Sequence, residues 1–378
     1  VSTSDRSVLL LPGLASDHSL SMSRYARELV SAFSRLDDMT RPARLERPAQ
    51  VRTLSSLVDH PLARRVDSAW SRYITYPRSL RHRNAAAFHI LDHGYAQLIR
   101  HLDADRTVVT CHDLIPLLAG EGLVPIKVPA TVIRTFRARI TMMAQARRVL
   151  AISETTKATL ERYTSVPPDR ITVVPYGVNA NFRPSPGARE RLPDPRLGAS
   201  RIVLQVATAV RYKNTGVVLE SFAKVRDHHR DVMLVRVGAP MFQDDAKLAV
   251  KLGIQDAIHY VGRVDDDRLL ADWYNAADLL LFPSTWEGFG WPPLEAMACG
   301  TPVVASTIPA IAEVTGDAAV LVAPQNPAAI AQAVERVLTD APYAVSLRRK
   351  GLERAARFSW RAAALRTAMV YDEVAQGG

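Results

Sequence analysis

Residues 283–306 read PSTWEGFGWPPLEAMACGTPVVAS, and the fold follows from how this stretch is parsed. The run just before it, Leu279-Leu280-Leu281-Phe282, is short, wholly apolar and suited to a buried strand. Gly288 and Gly290 let the backbone approach a ligand closely. Pro292 and Pro293 fix φ where a helix can begin. Residues 294–299 then make a short helix, Gly300 stops it, and Val303-Val304-Ala305 opens the next buried strand. Two carboxylates bracket the unit, Glu287 in the loop and Glu295 in the helix. Backbone N–H groups at a loop-to-helix junction attract an anion, and a carboxylate accepts hydrogen bonds from sugar hydroxyls. Taken alone, the stretch also fits a plain turn with solvated glutamates.

Working outward, a chain of 378 residues exceeds one compact core, so two domains are expected. Hydrophobic residues at 48% and charged residues at 23% describe an ordinary globular protein. No apolar run approaches the roughly 18 residues of a membrane-spanning helix. Val8-Leu9-Leu10-Leu11 is too short for a leader's apolar core, so no signal peptide is expected. Cys111 and Cys299 lie far apart in apolar contexts, which argues against a disulfide framework and for a reducing cytoplasm. The net charge of +10 is lopsided. Residues 1–180 carry 25 Lys and Arg against 16 Asp and Glu; residues 181–378 carry 23 against 22. A basic first half suits a membrane surface, a phosphate-bearing acceptor or a nucleic acid, or reflects an arginine-rich composition at large.

In chain order, residues 7–11 read as a first strand and 23–36 as a helix with Tyr25, Leu29, Phe33 and Leu36 on one side. Residues 41–83 hold ten arginines with Trp70, Tyr73 and Tyr76 interleaved, which reads either as an interfacial or stacking surface or as an irregular region with its aromatics inward. Residues 88–91 and 107–110 are strands, and 95–102 a helix. His112 follows the second of these strands, where ligands sit in an open parallel sheet. Asp113 reads as a loop or cap residue. A long basic helix is expected over 131–150, a strand over 149–152, a helix opened by Ser153, and a strand over 171–175. Residues 184–200, rich in Pro and Gly, read as a linker. Beyond it come a strand at 202–207, a polar turn with Arg211, Lys213 and Asn214, and a helix over 215–226. Arg and Lys at a strand-to-helix turn form a clamp suited to a pyrophosphate. Strands at 232–238 and 258–264 flank a helix at 243–252. Asp265-Asp266-Asp267 is read as a helix N-terminus rather than a metal site. Three helices, over 328–338, 346–358 and 360–374, close the chain. Strands alternating with helices in both halves imply two doubly wound parallel sheets.

The string E-G-F-G-x-P-P-L-E-A-M-A-x-G-x-P-V-V-A-S resembles the E-x7-E signature of retaining glycosyltransferases with the GT-B fold, the family 4 type. H-D-L-x-P-L at 112–117, I-S-x-x-T-K with V-V-P-x-G-V over 151–184, and the Lys213-Asn214 pair extend that resemblance over most of the chain. It implies an α/β protein of two Rossmann-like domains facing each other across a cleft. Residues 1–183 would be the acceptor-side domain, 184–200 the linker, 201–356 the nucleotide-sugar domain, and 357–378 a terminal helix crossing back. The implied activity is transfer of a hexosyl group, mannosyl among the options, from a GDP- or UDP-linked donor to a glycan or lipid-linked hydroxyl in polysaccharide synthesis. Glu287 and His112 would be catalytic. Arg211 and Lys213 would hold the diphosphate, with loop 288–294 (Gly288, Phe289, Gly290, Trp291, Leu294) at the helix N-terminus. Glu295 would take the ribose, and Gly262 with Arg263 the base. The glycine-rich G-G-x-G-R-Y loop of the family is LSMSRY at 20–25 here, which keeps Arg24 and Tyr25, loses the glycines, and passes the donor-phosphate role to Ser21 and Met22. No cofactor, metal or nucleic-acid partner is implied. The expected setting is cytoplasmic, with contact at the inner face of an anionic membrane through the basic first domain. The alternatives are a non-catalytic basic binding module and a phosphorolytic or epimerase relative on the same fold.

Overall fold

The structure is a computed structural model that describes residues 7–14, 20–36, 41–46, 48, 50–51, 53–58 and 60–376. The chain divides into two compact units. The first takes Val1–Glu121, Val128–Gly177 and Trp360–Gly378; the second takes Gly122–Lys127 and Val178–Ser359.

The first unit holds strands β1 (Val8–Leu11), β2 (Ala43–Leu45), β3 (Ala87–Ile90), β4 (Thr107–Cys111), β5 (Arg148–Ala151) and β6 (Ile171–Val173), in the order β2-β1-β3-β4-β5-β6. The second holds β7 (Arg201–Ala207), β8 (Val232–Gly238), β9 (Ile258–Gly262), β10 (Leu279–Phe282), β11 (Val303–Ser306) and β12 (Val320–Val322), in the order β12-β11-β10-β7-β8-β9. Every pairing among these strands is parallel. The central strands are mostly apolar and buried, as helix-covered parallel sheets require, with His89, Thr110 and Gln205 among the buried polar residues set within them. In the second unit Val203, Leu234, Leu279, Leu281 and Val304 meet Val218, Phe222 and Val225 of the helix Thr215–His228 and Ile330 and Val334 of the helix Pro327–Thr339. Each sheet reverses its strand order once, between β1 and β3 in the first and between β7 and β10 in the second.

Several local expectations shift. The first helix spans Leu20–Phe33, so Ser21 and Met22 lie in its opening turn rather than in a loop. Without the glycines that would bend the backbone away, the polar run simply continues the helix. The helix expected over 131–150 ends at Met143. Residues 144–147 must turn, with the N–H of Arg147 donating to the carbonyl of Thr107 at 3.0 Å, so that β5 can pair with β4. The segment 95–102 is a 3-10 run, His93–His101. Part of the arginine-rich stretch is regular: it holds β2, the helices Thr53–Leu57, Pro61–Trp70 and Tyr76–Leu80, and a π turn at Ser71–Thr75. Residues 184–200 cluster with the second unit. They are tied down by Arg189, whose Nη2 donates to Asp278 Oδ2 at 2.5 Å, and by Ser185, whose N–H reaches Asn275 Oδ1 at 2.8 Å.

The terminal helix Trp360–Gln376 belongs to the first unit. Its Tyr371 hydroxyl lies 2.6 Å from Nδ1 of His89 on β3; the other ring nitrogen lies 2.7 Å from Thr110 Oγ1 on β4, and Tyr25 hydroxyl is 3.0 Å from the same oxygen. All four groups are buried, so the network satisfies polar atoms that water cannot reach. Burial pushes the His89 pKa down from 6.5 to about 3, so the ring is neutral in the folded chain. The unfolded chain takes up that proton near pH 6.5 and the folded chain does not until about pH 3, so this contribution to stability is present above pH 6.5 and is lost as pH falls toward 3. Urea unfolding at pH 7.5 and 4.5 should therefore show a drop in stability that His89→Gln reduces by on the order of 2 kcal/mol. An equal drop in the variant would assign the acid sensitivity elsewhere.

Candidate active site

The second sheet builds its site where its strand order reverses. Because β7 and β10 are parallel neighbours, with Val203 opposite Leu279 and Leu204 opposite Leu280, the loops leaving both strands emerge on the same edge. Ligands of open parallel sheets bind at such a point. After β7 the chain makes a 3-10 turn, Arg211–Lys213, and then Asn214 takes a left-handed conformation with φ of 60° before the helix Thr215–His228 begins. Asn214 is the one non-glycine residue with positive φ among the described residues. That conformation is unfavourable for most side chains and least so for Asn. Its amide donates to the carbonyls of Pro283, at 3.1 Å, and Pro324, at 2.6 Å. The N–H of Thr285 donates to the carbonyl of Tyr212 at 2.8 Å. The loops after β7, β10 and β12 are thus laced together through backbone carbonyls.

This lacing brings Lys213 and Glu287 together. Nζ donates to Oε1 at 2.6 Å, and the two side chains are only 12% and 11% exposed. Lys213 Nζ also sits 4.8 Å from the centroid of the Phe282 ring. Arg211 goes elsewhere: Nη1 donates to Asp244 Oδ2 at 2.8 Å, and the guanidinium stacks 4.1 Å over Phe242. The two cations of the sequence-level clamp are held by different carboxylates.

The motif helix runs Trp291–Ala298. Gly290 precedes it with φ of 117°, a conformation that favours glycine, and a Cβ there would push on the end of the Ile311 side chain, 2.7 Å from Cδ1. Phe289 is buried edge-on against Phe358. Within 288–294, Pro292 and Pro293 carry no N–H, and that of Leu294 bonds the carbonyl of Gly290 at 3.3 Å. Glu295 is buried, and its Oε2 accepts from the Tyr274 hydroxyl at 2.9 Å. Gly262, with φ of 84°, ends β9, and a Cβ there would meet nothing within 4 Å. Arg263 beside it donates through Nε to Asp265 at 2.7 Å. Asp266 caps the helix Asp267–Ala276 by accepting from the N–H of Arg268 at 2.7 Å.

In the first unit His112 directly follows β4 and is buried. Its Nε2 lies 2.7 Å from the Leu91 carbonyl, which only accepts, so Nε2 carries the proton and Nδ1 accepts from the Tyr176 hydroxyl. Burial holds its pKa down to about 4. Asp113 accepts from the N–H of Ile115 at 3.0 Å and orients the loop. Ser21 is exposed on its helix. Three positions went unassigned in the sequence: Asn214, Tyr274 and Tyr176. Asn214 stands beside Lys213 in the motif, and an Asn at the turn before a helix, a residue type that tolerates the left-handed region, was the available signal. Neither tyrosine carries a local signature, because each acts through a partner distant in sequence.

The family model described as Glycosyl transferases group 1 matches residues 193–354, and that of Glycosyltransferase Family 4 matches residues 22–182. The chain belongs to the GT-B glycosyltransferases of the family 4 type. Among curated relatives it is 28% identical over 263 residues to the serotype-specific mannosyltransferase WbdA of Escherichia coli, covering 68% of this chain and 32% of that one. It is 36% identical over 243 residues to D-inositol 3-phosphate glycosyltransferase 2 of Catenulispora acidiphila, covering 60% of this chain and 56% of that one. The chain thus spans a third to a little over half the length of these relatives. Among solved structures the fold is that of sucrose-phosphate synthase from Thermosynechococcus elongatus, with a TM-score of 0.79 at 22% identity over 99% of this chain and 100% of that one. It is also that of Anabaena HepE in complex with UDP and glucose, with a TM-score of 0.71 at 16% identity over 97% and 100%.

Asn214 supplies a direct check on this site. Asn214→Gly keeps the left-handed turn and removes the two amide bonds; Asn214→Ala removes the bonds and strains the turn. Thermal unfolding should rank wild type above Gly and Gly above Ala, with about 1–3 kcal/mol between the ends. Equal stability of all three would show that the lacing is dispensable.

Proposed function

We propose that this chain transfers a hexosyl group from a GDP- or UDP-linked donor to a hydroxyl of a glycan or lipid-linked acceptor, with retention at the anomeric carbon. The observation that carries the proposal is the Lys213–Glu287 pair at the strand-order reversal of the second sheet, with Glu295 eight residues on in the motif helix. Relatives named as a mannosyltransferase and an inositol phosphate glycosyltransferase support the reaction class. The structure of HepE, a fold neighbour, is a complex with UDP and glucose, which supports a nucleotide-sugar donor.

The geometry suggests how the residues divide the work. Lys213 is held by one carboxylate in a largely enclosed position. A diphosphate brings more negative charge than Glu287 and competes for the same ammonium. Capture of Lys213 by the diphosphate frees Glu287 to accept from donor sugar hydroxyls and to stabilise positive character at the ring. The C1–O bond to the diphosphate breaks with its electron pair going to the diphosphate. Lys213 and the N-terminus of the helix Trp291–Ala298 offset that growing charge. The acceptor oxygen bonds C1 on the same face, and its proton passes to a leaving phosphate oxygen. Glu295, held by Tyr274, takes the ribose hydroxyls. Arg211 adds to the phosphate site by leaving Asp244, and Gly262 with Arg263 receives the base. His112, a neutral imidazole at the end of β4, is the first unit's candidate for contact with the sugar. No step in this assignment calls for a metal.

A panel of nucleotides and nucleotide sugars should raise the melting temperature for one base, and that donor should hydrolyse slowly without acceptor. Glu287→Ala should abolish hydrolysis and keep nucleotide binding, whereas Lys213→Ala should weaken nucleotide binding by about 10- to 100-fold, the range for a lost charge-assisted contact. The absence of any thermal shift across the panel would overturn the proposal.

A further inference from the structure

The arginine-rich stretch of the first unit is built inside out. Its helices Thr53–Leu57 and Pro61–Trp70 are joined by Asp67, whose Oδ1 and Oδ2 accept from the N–H groups of Leu54, at 3.2 Å, and Ser55, at 2.7 Å. Asp67 is the one buried residue of the helix Pro61–Trp70, and the helix Thr53–Leu57 buries none. A polar staple does what an apolar seam ordinarily does between two helices. The large apolar side chains are left outside: Leu57, Val58, Leu62, Val66, Trp70 and Tyr73 each keep at least half of their surface exposed. Leu62, Val66 and Trp70 stand at i, i+4 and i+8, a single stripe along one side of the helix.

Beside the stripe the described charge is positive, although the sequence also places Asp59 between the two helices. Among the described residues of 53–83 the one acid is Asp67, and it is turned inward. Arg64, Arg65, Arg78 and Arg81 are exposed. Arg139, from the helix Ala130–Met143, donates to the Tyr73 hydroxyl at 2.5 Å and adds a further cation beside the stripe. By contrast Arg72 is turned in, stacked 4.2 Å over Tyr95 and bonded to the carbonyl of Gly94.

We propose that the helices Thr53–Leu57 and Pro61–Trp70, with Tyr73, form a docking element for an anionic lipid surface. The stripe Leu62-Val66-Trp70 enters the headgroup boundary, Trp70 and Tyr73 lie at its polar edge, and the exposed arginines meet lipid phosphates. An apolar helix face flanked by cations, with aromatics at its margin, is how a helix lies in a membrane interface. Charge decides against a second copy of this chain as the occupant. A two-fold contact would set these arginine rims against each other, whereas an anionic bilayer complements them. The inference rests on this face alone and does not require the transferase assignment.

The test is co-sedimentation of the full chain with vesicles of phosphatidylcholine alone and with added phosphatidylglycerol, at low and high salt. Binding is expected to the anionic vesicles, to weaken with salt, and to fall at least tenfold in Leu62→Asp/Val66→Asp. Both substituted side chains are exposed, so melting temperature and donor hydrolysis in solution should be unchanged. Equal binding to both vesicle types, or equal binding by the double variant, overturns the proposal. So does a solution dimer by light scattering that the double variant dissociates, which would give the face to a second copy. Vesicle binding without donor hydrolysis would support this element while counting against the transferase reading.

Discussion

The side-chain amide of Asn214 is the contact on which the second unit's site depends. Parallel strands deliver their loops to one edge, but loops leaving separate strands have no reason to keep a fixed spacing. Asn214 imposes one by donating to carbonyls in the loops after β10 and β12 from a left-handed turn after β7. The ammonium of Lys213 is then carried to Glu287 by the backbone on both sides, so the ion pair is a product of the lacing rather than its cause. An enclosed pair of this kind is costly to break by removing one partner and offers little net stability as a pair. The reversal of strand order between β7 and β10 sets where the loops converge, Asn214 the spacing, and Gly290 the positive-φ turn that precedes the motif helix.

The first unit solves a different problem. Its sheet edge carries buried imidazoles instead of an ion pair. His89 and His112 are both held neutral by burial, and each finds hydrogen-bond partners at both ring nitrogens. The His89 network ties β3 and β4 to the terminal helix, while His112 is fixed by Tyr176 and the Leu91 carbonyl. Cys111 and Cys299 are free, buried thiols, with burial pushing both well above the ordinary thiol range. Among the described residues around the helix Pro61–Trp70 arginines point outward and an apolar helix face stands uncovered.

Much of this was legible residue by residue. Leu279–Phe282 is a strand with the bounds its apolar run announces, because four large apolar residues between Asp278 and Pro283 have no amphipathic alternative. Ser153 and Asp266 cap helices because their side-chain oxygens accept a nearby backbone N–H wherever the chain leaves an extended conformation. Positions were lost where tertiary pairing overrules periodicity. The apolar pattern over 131–150 continues through Met143, yet the chain must turn there to bring Arg148–Ala151 beside β4. β2, three residues at a sheet edge, and the helices of 53–80 carry no periodic signal strong enough to stand out among the arginines.

The sequence by itself determined the alternation of strand and helix, the two carboxylates of the motif, the lysine opposite them in the plan of the site, and the basic bias of the first half. These are local: each rests on residue type and spacing along a few turns of chain. Only the tertiary structure decided that Lys213 meets Glu287 while Arg211 turns to Asp244, that Tyr274 holds Glu295, and that Asp67 points in so that Leu62, Val66 and Trp70 point out. Those outcomes depend on which strand lies beside which and on which carbonyl a side chain reaches. Spacing along the chain carries no measure of that distance.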